Sequence, residues 1–457
     1  MKIPRIVIAA PRSGSGKTLF TIGLIKFLKD SCLKVNSFKT GPDYIDPMFH
    51  RNVLGLDSRN LDLFFTDENT TRKIFAAEND SELSIIEGVM GLYDGIGGVS
   101  DEASTYHLAK VLKAPIILVV DAKGMSRSVI AMVKGFSDFD SEGLIKGIVL
   151  NNISSMLYEK LSKEIEKNTG IKALGYFEHN KDLSLESRHL GLVMPDEISD
   201  LEGICKISAA QISRTVDVDK IIEIAKEGQE FNFTADEIIF PECKVKIALA
   251  FDDAFCFYYT DNIRMLENMG AEIRKFSPLN DRTLPDDIDG MILGGGYPEL
   301  HLAELESNMT MKDSIRQAIT DGIPSIAECG GFMYLHESIT DKDGRKFKMC
   351  GAIDGSCEFK GSLVRFGYAE FLDTGRKFLK GCDNVIRGHE FHYYDSTSNG
   401  RDCIAHKPLS EKKWNCVHAD ENRWWGFPHL YYWSNPDYAK SFLRECLKFR
   451  ERREKRC

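Results

Sequence analysis

Between Ile3 and Thr18 the chain reads IPRIVIAAPRSGSGKT. The β-branched run Ile6, Val7 and Ile8 predicts a buried strand, and Leu19 to Leu28 carries apolar residues at helical spacing. Strand, glycine-rich turn and helix in that order turn a GK[ST] match into a phosphate-binding loop and commit this half of the chain to a sheet with helical crossovers. Ser13, Gly14, Ser15 and Gly16 form the turn, whose N–H groups close around phosphate oxygens. Lys17 adds a point charge, and Thr18 offers a hydroxyl to Mg²⁺. Pro11 stands where the common pattern has its first glycine, so the loop is a variant. A strand–helix turn without a ligand is the alternative reading of the same residues.

Leu33 to Phe38 predicts a second strand, followed by KTGPDYIDPMFH from Lys39 to His50. Asp43 and Asp46 fall past the carboxyl end of that strand, where open α/β sheets bind ligands. Asp43 is thus placed to reach a metal or phosphate, although turn-forming and capping aspartates fit equally well. The strand at Leu83 to Ile86 ends on Glu87, a position at which phosphate-loop enzymes keep a metal-directing carboxylate, and Asp94 follows in a second glycine-rich turn. Strands at Pro115–Val120 and Gly147–Leu150 alternate with helices at Ala103–Leu112 and Ser126–Phe136, which predicts a parallel, doubly wound sheet. The amide of Asn151 suits an adenine edge, and an asparagine turn suits it as well. His107 and His189 occur singly and read as packed or surface histidines.

Periodicity is lost between Glu227 and Cys243, and an α/β rhythm restarts at Val245. For a chain of 457 residues this predicts a domain over 1–197, a helix and linker over 198–243, a second α/β domain over 244–446 and a basic tail over 447–457. In the second domain GIPSIAECGGFMYL runs from a strand through Cys329 and two glycines into a helix, a nucleophile elbow built on cysteine. The helix start is expected to favour thiolate. The N–H of Gly330 with that of Gly295 or Gly296 can hold an oxyanion. His429 in FPHLYYWSNP offers a base, with His389 and His392 in RGHEFHYYD as competitors for the role. The twelve cysteines show no CxxC pair, and there is no signal-peptide pattern, so reduced thiols in the cytoplasm are expected. A net charge of −10 argues against coating nucleic acid, and no apolar run reaches the length of a membrane span.

Taken together, the phosphate loop, FKTGPDYIDPMFH, EGVMGLYDG, SRHLGL, DAFCFYYTDN, GGGYPEL, AECGGFMYL, RGHEFHY and PHLYYWSNP resemble the cobyrinic acid a,c-diamide synthase family over nearly the whole chain. The resemblance implies a dethiobiotin-synthetase-like phosphate-loop domain joined to a class I (triad) glutamine amidotransferase-like domain. It implies ATP- and glutamine-dependent amidation of the a and c acetates of cobyrinic acid through acyl phosphates, as a step of cobalamin biosynthesis. Under that plan Lys17, Thr18, Asp43 and Glu87 form the phosphate and Mg²⁺ group, and Lys39 neutralises charge on the transferred phosphoryl. Tyr44, Asp46, Asp94, Ser104 and Thr105 shape the substrate end. ATP, L-glutamine and the tetrapyrrole are the implied partners, and pairing through the nucleotide face makes a homodimer an expectation. Two departures stand out. Tyr431 replaces the glutamate that triad glutaminases carry two residues after the histidine, which implies a slow glutaminase. Arg12 stands where related partition-type ATPases have a signature lysine. The same chemistry on nickel-sirohydrochlorin, in the nickel-tetrapyrrole pathway of methanogens, is the nearest alternative. A non-catalytic phosphate-loop ATPase scaffold is the more distant one.

Overall fold

The computed structural model describes residues 3–77, 80–180, 183, 187–188, 191–192, 198, 200–234, 244–381 and 383–455. The chain forms two compact units, Met1–Asp236 and Glu237–Cys457. Among the described residues no helix is long and apolar enough to cross a membrane.

The first unit is built on one sheet in the order Arg59–Leu61, Val35–Thr40, Leu83–Glu87, Arg5–Ala9, Ile116–Asp121, Ile145–Asn151 and Lys172–Tyr176, every pairing parallel. The strands RIVIA and LSIIE are buried at every position, as parallel strands covered on both faces require. Helices Lys17–Asp30, Glu68–Ala76, Thr105–Leu112, Ser128–Phe139 and Ser155–Thr169 make crossovers, so the α/β expectation holds. From the central strand Arg5–Ala9 the chain builds first to one side and then to the other. The carboxyl ends of Arg5–Ala9 and Leu83–Glu87 therefore meet at the reversal of strand order, where such sheets bind ligands.

Residues 200–234, expected as a helix and linker, pack into this unit. Helix Leu201–Thr215 bonds helix Lys17–Asp30 through Ser208 Oγ on the Leu19 carbonyl, at 3.1 Å. Arg5, wholly buried, donates to the carbonyls of Leu112 (2.7 Å), Ile3 (2.6 Å), Lys113 (3.2 Å) and Gln229. Phe231 lies against the same guanidinium and against Phe75. His189 and residues 235–243 lie outside the described residues.

The second unit centres on a sheet in the order Ala271–Phe276, Val245–Ala250, Gly290–Leu293, Ser325–Glu328, Arg423–Gly426 and His418–Ala419, parallel except at the last pairing. Side chains alternate across it. Ile292, Ile326 and Trp424 enter one apolar core, while Leu293, Ala327 and Trp425 enter the other. Two further sheets, largely antiparallel, have no counterpart in the sequence reading. One of them pairs Val385–His392 with Arg365–Asp373 on one side and with His429–Leu430 on the other. The basic run expected as a tail continues the closing helix Asp437–Glu454, and Arg453 pairs with buried Asp289 at 2.9 Å.

Candidate functional site

In the first unit the turn after Arg5–Ala9 needs left-handed backbone at Gly14 (φ 76°) and Gly16 (φ 95°). A Cβ on Gly16 would stand 2.3 Å from Asn151 Nδ2, and that amide donates to the Ser15 carbonyl at 2.9 Å. Asn151 therefore braces the phosphate loop from two strands away in the sheet, and its Oδ1 accepts the N–H of Asn152. Ser15 Oγ donates back to the Arg12 carbonyl at 2.9 Å. The second turn, EGVMGLYDG, lies alongside: Gly88 N–H bonds the Ile8 carbonyl and Leu92 N–H the Ala10 carbonyl. Arg12, largely exposed, pairs with Asp121 at 3.2 Å, and Asp121 also accepts from Asn152.

Register brings the charges together. Glu87 lies opposite Ile8 in one neighbouring strand and opposite Lys39 in the other. Thr18 Oγ1 donates to Glu87 Oε1 at 2.6 Å and stands 3.4 Å from Asp46 Oδ2. Buried Lys39 pairs with Asp46, with Glu87 at 3.2 Å and with Asp43 at 3.7 Å, and it donates to the Gly88 carbonyl. Burial opposes the charge on Glu87, but Lys39, His50 and Thr18 outweigh it and hold the carboxyl well below its usual range. Burial and the charges of Asp43 and Glu87 push Asp46 up. Lys17 donates to the Met90 carbonyl at 2.7 Å, and burial with the nearby charge of Lys39 lowers it to about 8.

Several expected residues have local structural duties here. Asp43 Oδ1 caps the helix Ile45–Leu54, accepting from Ile45 and Asp46 N–H. Asp46, expected at the substrate end, belongs to the lysine–carboxylate cluster. Asp94 accepts from Gly91 N–H at 2.9 Å and so shapes its own turn. Ser104 caps the helix Thr105–Leu112 through His107 N–H, and Thr105 Oγ1 bonds both the N–H and the carbonyl of Val89. Tyr44 is buried at the start of the second helix. Lys39 already has carboxylate partners, so its charge organises the acidic group. His50, which the sequence reading passed over, brings Nε2 to 3.5 Å from Glu87 Oε2; its place five residues into a helix gave no signal of that.

Among the described residues no three histidine, cysteine or carboxylate side chains gather as a protein-only metal cage. The hydroxyl of Thr18 bonds the carboxylate of Glu87, and Asp43 joins the same cluster through Lys39, so the donors present are oxygens. Oxygen donors fit Mg²⁺, which takes one or two protein ligands and completes its shell with phosphate and water.

The second unit builds a thiol centre. Cys329 ends the strand Ser325–Glu328 in a strained conformation (φ 45°, ψ −102°), with its N–H bonded to the Gly426 carbonyl at 2.9 Å. The helix that follows, Gly330–Leu335, is only six residues long. Its first N–H, that of Gly330, faces the Cys329 sulfur, yet burial and the carboxylates of Glu299 and Glu390 push the thiol up. Burial thus opposes the thiolate that the helix start favours. A Cβ on Gly330 would lie 3.2 Å from Gly296 N, so these two glycines meet beside the sulfur. A Cβ on Gly295 would stand 2.4 Å from His429 Cε1, so the imidazole packs on the same glycine turn.

His429 lies opposite His389 in register, with the rings stacked at 4.9 Å and 16°. His389 in turn bonds the Tyr259 hydroxyl at 3.1 Å, and burial lowers it to about 3. Burial, then His389 and His392, hold His429 well below its ordinary value. His392 stacks on Phe427 at 3.9 Å and bonds the Tyr394 carbonyl. Of the three candidate bases, His429 is therefore the one against the glycine turn. Glu299, Glu390 and Glu328 escaped the sequence reading. Only Glu328, adjacent to the nucleophile, carried a positional hint.

Residues 6–193 match a family model described as CobQ/CobB/MinD/ParA nucleotide binding domain, and residues 246–431 one described as CobB/CobQ-like glutamine amidotransferase domain. The chain is 39% identical over 464 residues to a cobyrinate a,c-diamide synthase of Thermoplasma volcanium, covering 99% of this chain and 100% of that protein. It is 38% identical to proteins of the same name from Caldanaerobacter subterraneus (97% and 98% covered) and Listeria innocua (94% and 97% covered).

Proposed function

The chain belongs to the cobyrinate a,c-diamide synthase family of glutamine-dependent amidotransferase ligases, and from that premise we propose that it amidates the a and c acetates of cobyrinic acid through acyl phosphates. One observation carries the reading: a single chain holds a phosphate loop whose Thr18 hydroxyl meets Glu87 and a thiol elbow that shares a glycine turn with His429. Activation of a carboxylate and delivery of nitrogen are the two halves of one ligase reaction.

In the second unit glutamine presents its side-chain amide to Cys329. His429, neutral because buried, takes the thiol proton as sulfur bonds to the amide carbon. The N–H groups of Gly296 and Gly330 hold the oxyanion. The imidazolium returns the proton to nitrogen as the C–N bond breaks, releasing ammonia and leaving a glutamyl thioester that water hydrolyses to glutamate. Because thiol and imidazole are each held in the uncharged form, the proton transfer is uphill, which supports a slow glutaminase. In the first unit an acetate oxygen attacks the γ-phosphorus of ATP, forming the acyl phosphate and ADP, with Lys17 on the phosphates. Ammonia then displaces phosphate to give the amide. Thr18, Asp43 and Glu87 would hold Mg²⁺, which when bound offsets phosphate charge.

The test is mass spectrometry of cobyrinic acid incubated with the protein, Mg-ATP and glutamine. Two successive losses of about one mass unit, each an OH replaced by NH₂, are expected. Cys329→Ala should stop the reaction with glutamine and leave it intact with added ammonia. Unchanged cobyrinic acid alongside amidated nickel-sirohydrochlorin would move the substrate to the other tetrapyrrole.

A further inference from the structure

Glu328 precedes the nucleophile and lies opposite Gly426 at the end of its strand. The residue is 7% exposed and lies close to buried Tyr258, Tyr432 and Tyr438. One carboxyl oxygen accepts the N–H of Leu430, the residue after His429. The other, Oε1, is buried with no hydrogen-bond partner among the described residues. Burial pushes this carboxyl up to about 8, so near neutral pH it is mostly a neutral acceptor. The Leu430 carbonyl receives Asn262 Nδ2 at 2.8 Å, and Asn262 Oδ1 takes the Tyr432 N–H at 2.8 Å. Both polar groups of Leu430 are therefore held by side chains, one from the elbow strand and one from the helix Thr260–Asn268.

A buried carboxyl with an unused oxygen is costly, and a position that keeps one calls for a reason. The triad position that would carry an imidazole-orienting carboxylate is Tyr431, whose hydroxyl reaches Asp261 at 3.4 Å. We propose that Glu328 and Asn262 are positioning residues that clamp the Leu430 peptide and thereby set His429 against Cys329, a duty that triad glutaminases assign to their third member. The clamp acts on the backbone beside the base, not on the imidazole. It rests on the glutaminase reading of Cys329 and His429.

The experiment compares Glu328→Leu, Glu328→Gln and Asn262→Ala in the full chain, measuring glutamine-dependent and ammonia-dependent amidation, and kcat and KM for glutamine hydrolysis. Glu328→Leu is expected to lower the glutaminase kcat roughly ten- to a hundred-fold, because displacement of a reacting group by about 1 Å costs on that order. KM for glutamine should stay within about twofold, and ammonia-driven amidation should be unchanged. Glu328→Gln keeps a carbonyl for the Leu430 N–H and should retain at least about half of kcat. Asn262→Ala should reproduce the kcat loss from the other end of the peptide, which keeps the test decisive if Glu328→Leu does not fold. A wild-type kcat in Glu328→Leu overturns the clamp, as does Glu328→Gln being damaged as badly as Glu328→Leu. If Cys329→Ala keeps glutamine-dependent activity, the glutaminase reading fails instead, and the clamp falls with it.

Discussion

Lys39 is 2% exposed, and its ammonium answers Asp46, Glu87 and Asp43. Removing one partner of such a buried group leaves uncompensated charge, at a cost of about 3–5 kcal/mol. Lys39→Met should therefore destabilise the first unit by about that amount in chemical denaturation. Adding Glu87→Gln to Lys39→Met should cost little more, or recover stability, because the second change removes one of the stranded charges. Simple additivity of the two changes would show that the cluster is not coupled. These contacts join two separate stretches, Lys39 to Asp46 and the strand end at Glu87, brought level by strand register. No spacing in the sequence announces that Lys39 faces Glu87. The phosphate loop could be read because its glycines, lysine and threonine are consecutive and its flanking strand and helix are local.

At the level of elements, the two turns after Arg5–Ala9 and Leu83–Glu87 are held by side chains expected to touch substrate. Ser104 accepts His107 N–H as a helix cap, and such a cap contributes about 1 kcal/mol. Ser104→Ala should lower the melting temperature of the first unit while KM for the tetrapyrrole stays at the wild-type value; a raised KM would return Ser104 to the binding surface. Serine before a helical run is a cap signal that the sequence carried all along, and the substrate role came only from resemblance. The helix Leu201–Thr215 was harder to see. Its buried face mixes Leu201, Ile204 and Ile212 with Ser208, Ala209 and Gln211, so the apolar stripe is weak. The antiparallel strands Arg365–Asp373 and Val385–His392 were also unread. Glu370 and Arg387 keep to the outer face, but exposed Phe366 and buried Asp373 and Glu390 blur the alternation that would mark these strands, and their pairing is fixed by contacts distant in sequence.

Across the whole molecule the buried carboxyls do not share one response to pH: Glu87 is depressed, whereas Asp46, Glu299 and Glu328 are raised. In the first unit Glu87 is depressed, so its stabilisation is present above the ordinary value of 4.5 and is lost as the pH falls through its lowered one. In the second unit burial raises Glu299 to about 7 and Glu328 to about 8 from the same ordinary value. There the folded state binds protons that the unfolded chain has released. Their stabilisation is full below 4.5 and is lost as pH rises toward 7 and 8. Each group contributes a slope of at most about 1.4 kcal/mol per pH unit over that window. Calorimetry of the full chain should show the second unit's transition moving down between about pH 6.5 and 8, above the window in which His389 and His429, held neutral by burial, add stability of the opposite sign, while strong acidification weakens the first. Glu328→Gln removes one of the two raised carboxyls and should flatten the second unit's slope by roughly half over that range while glutaminase kcat is largely retained. An unchanged slope would place the proton uptake elsewhere. If kcat fell with the slope, the acid itself, and not its carbonyl acceptor, would be what the thiol centre needs.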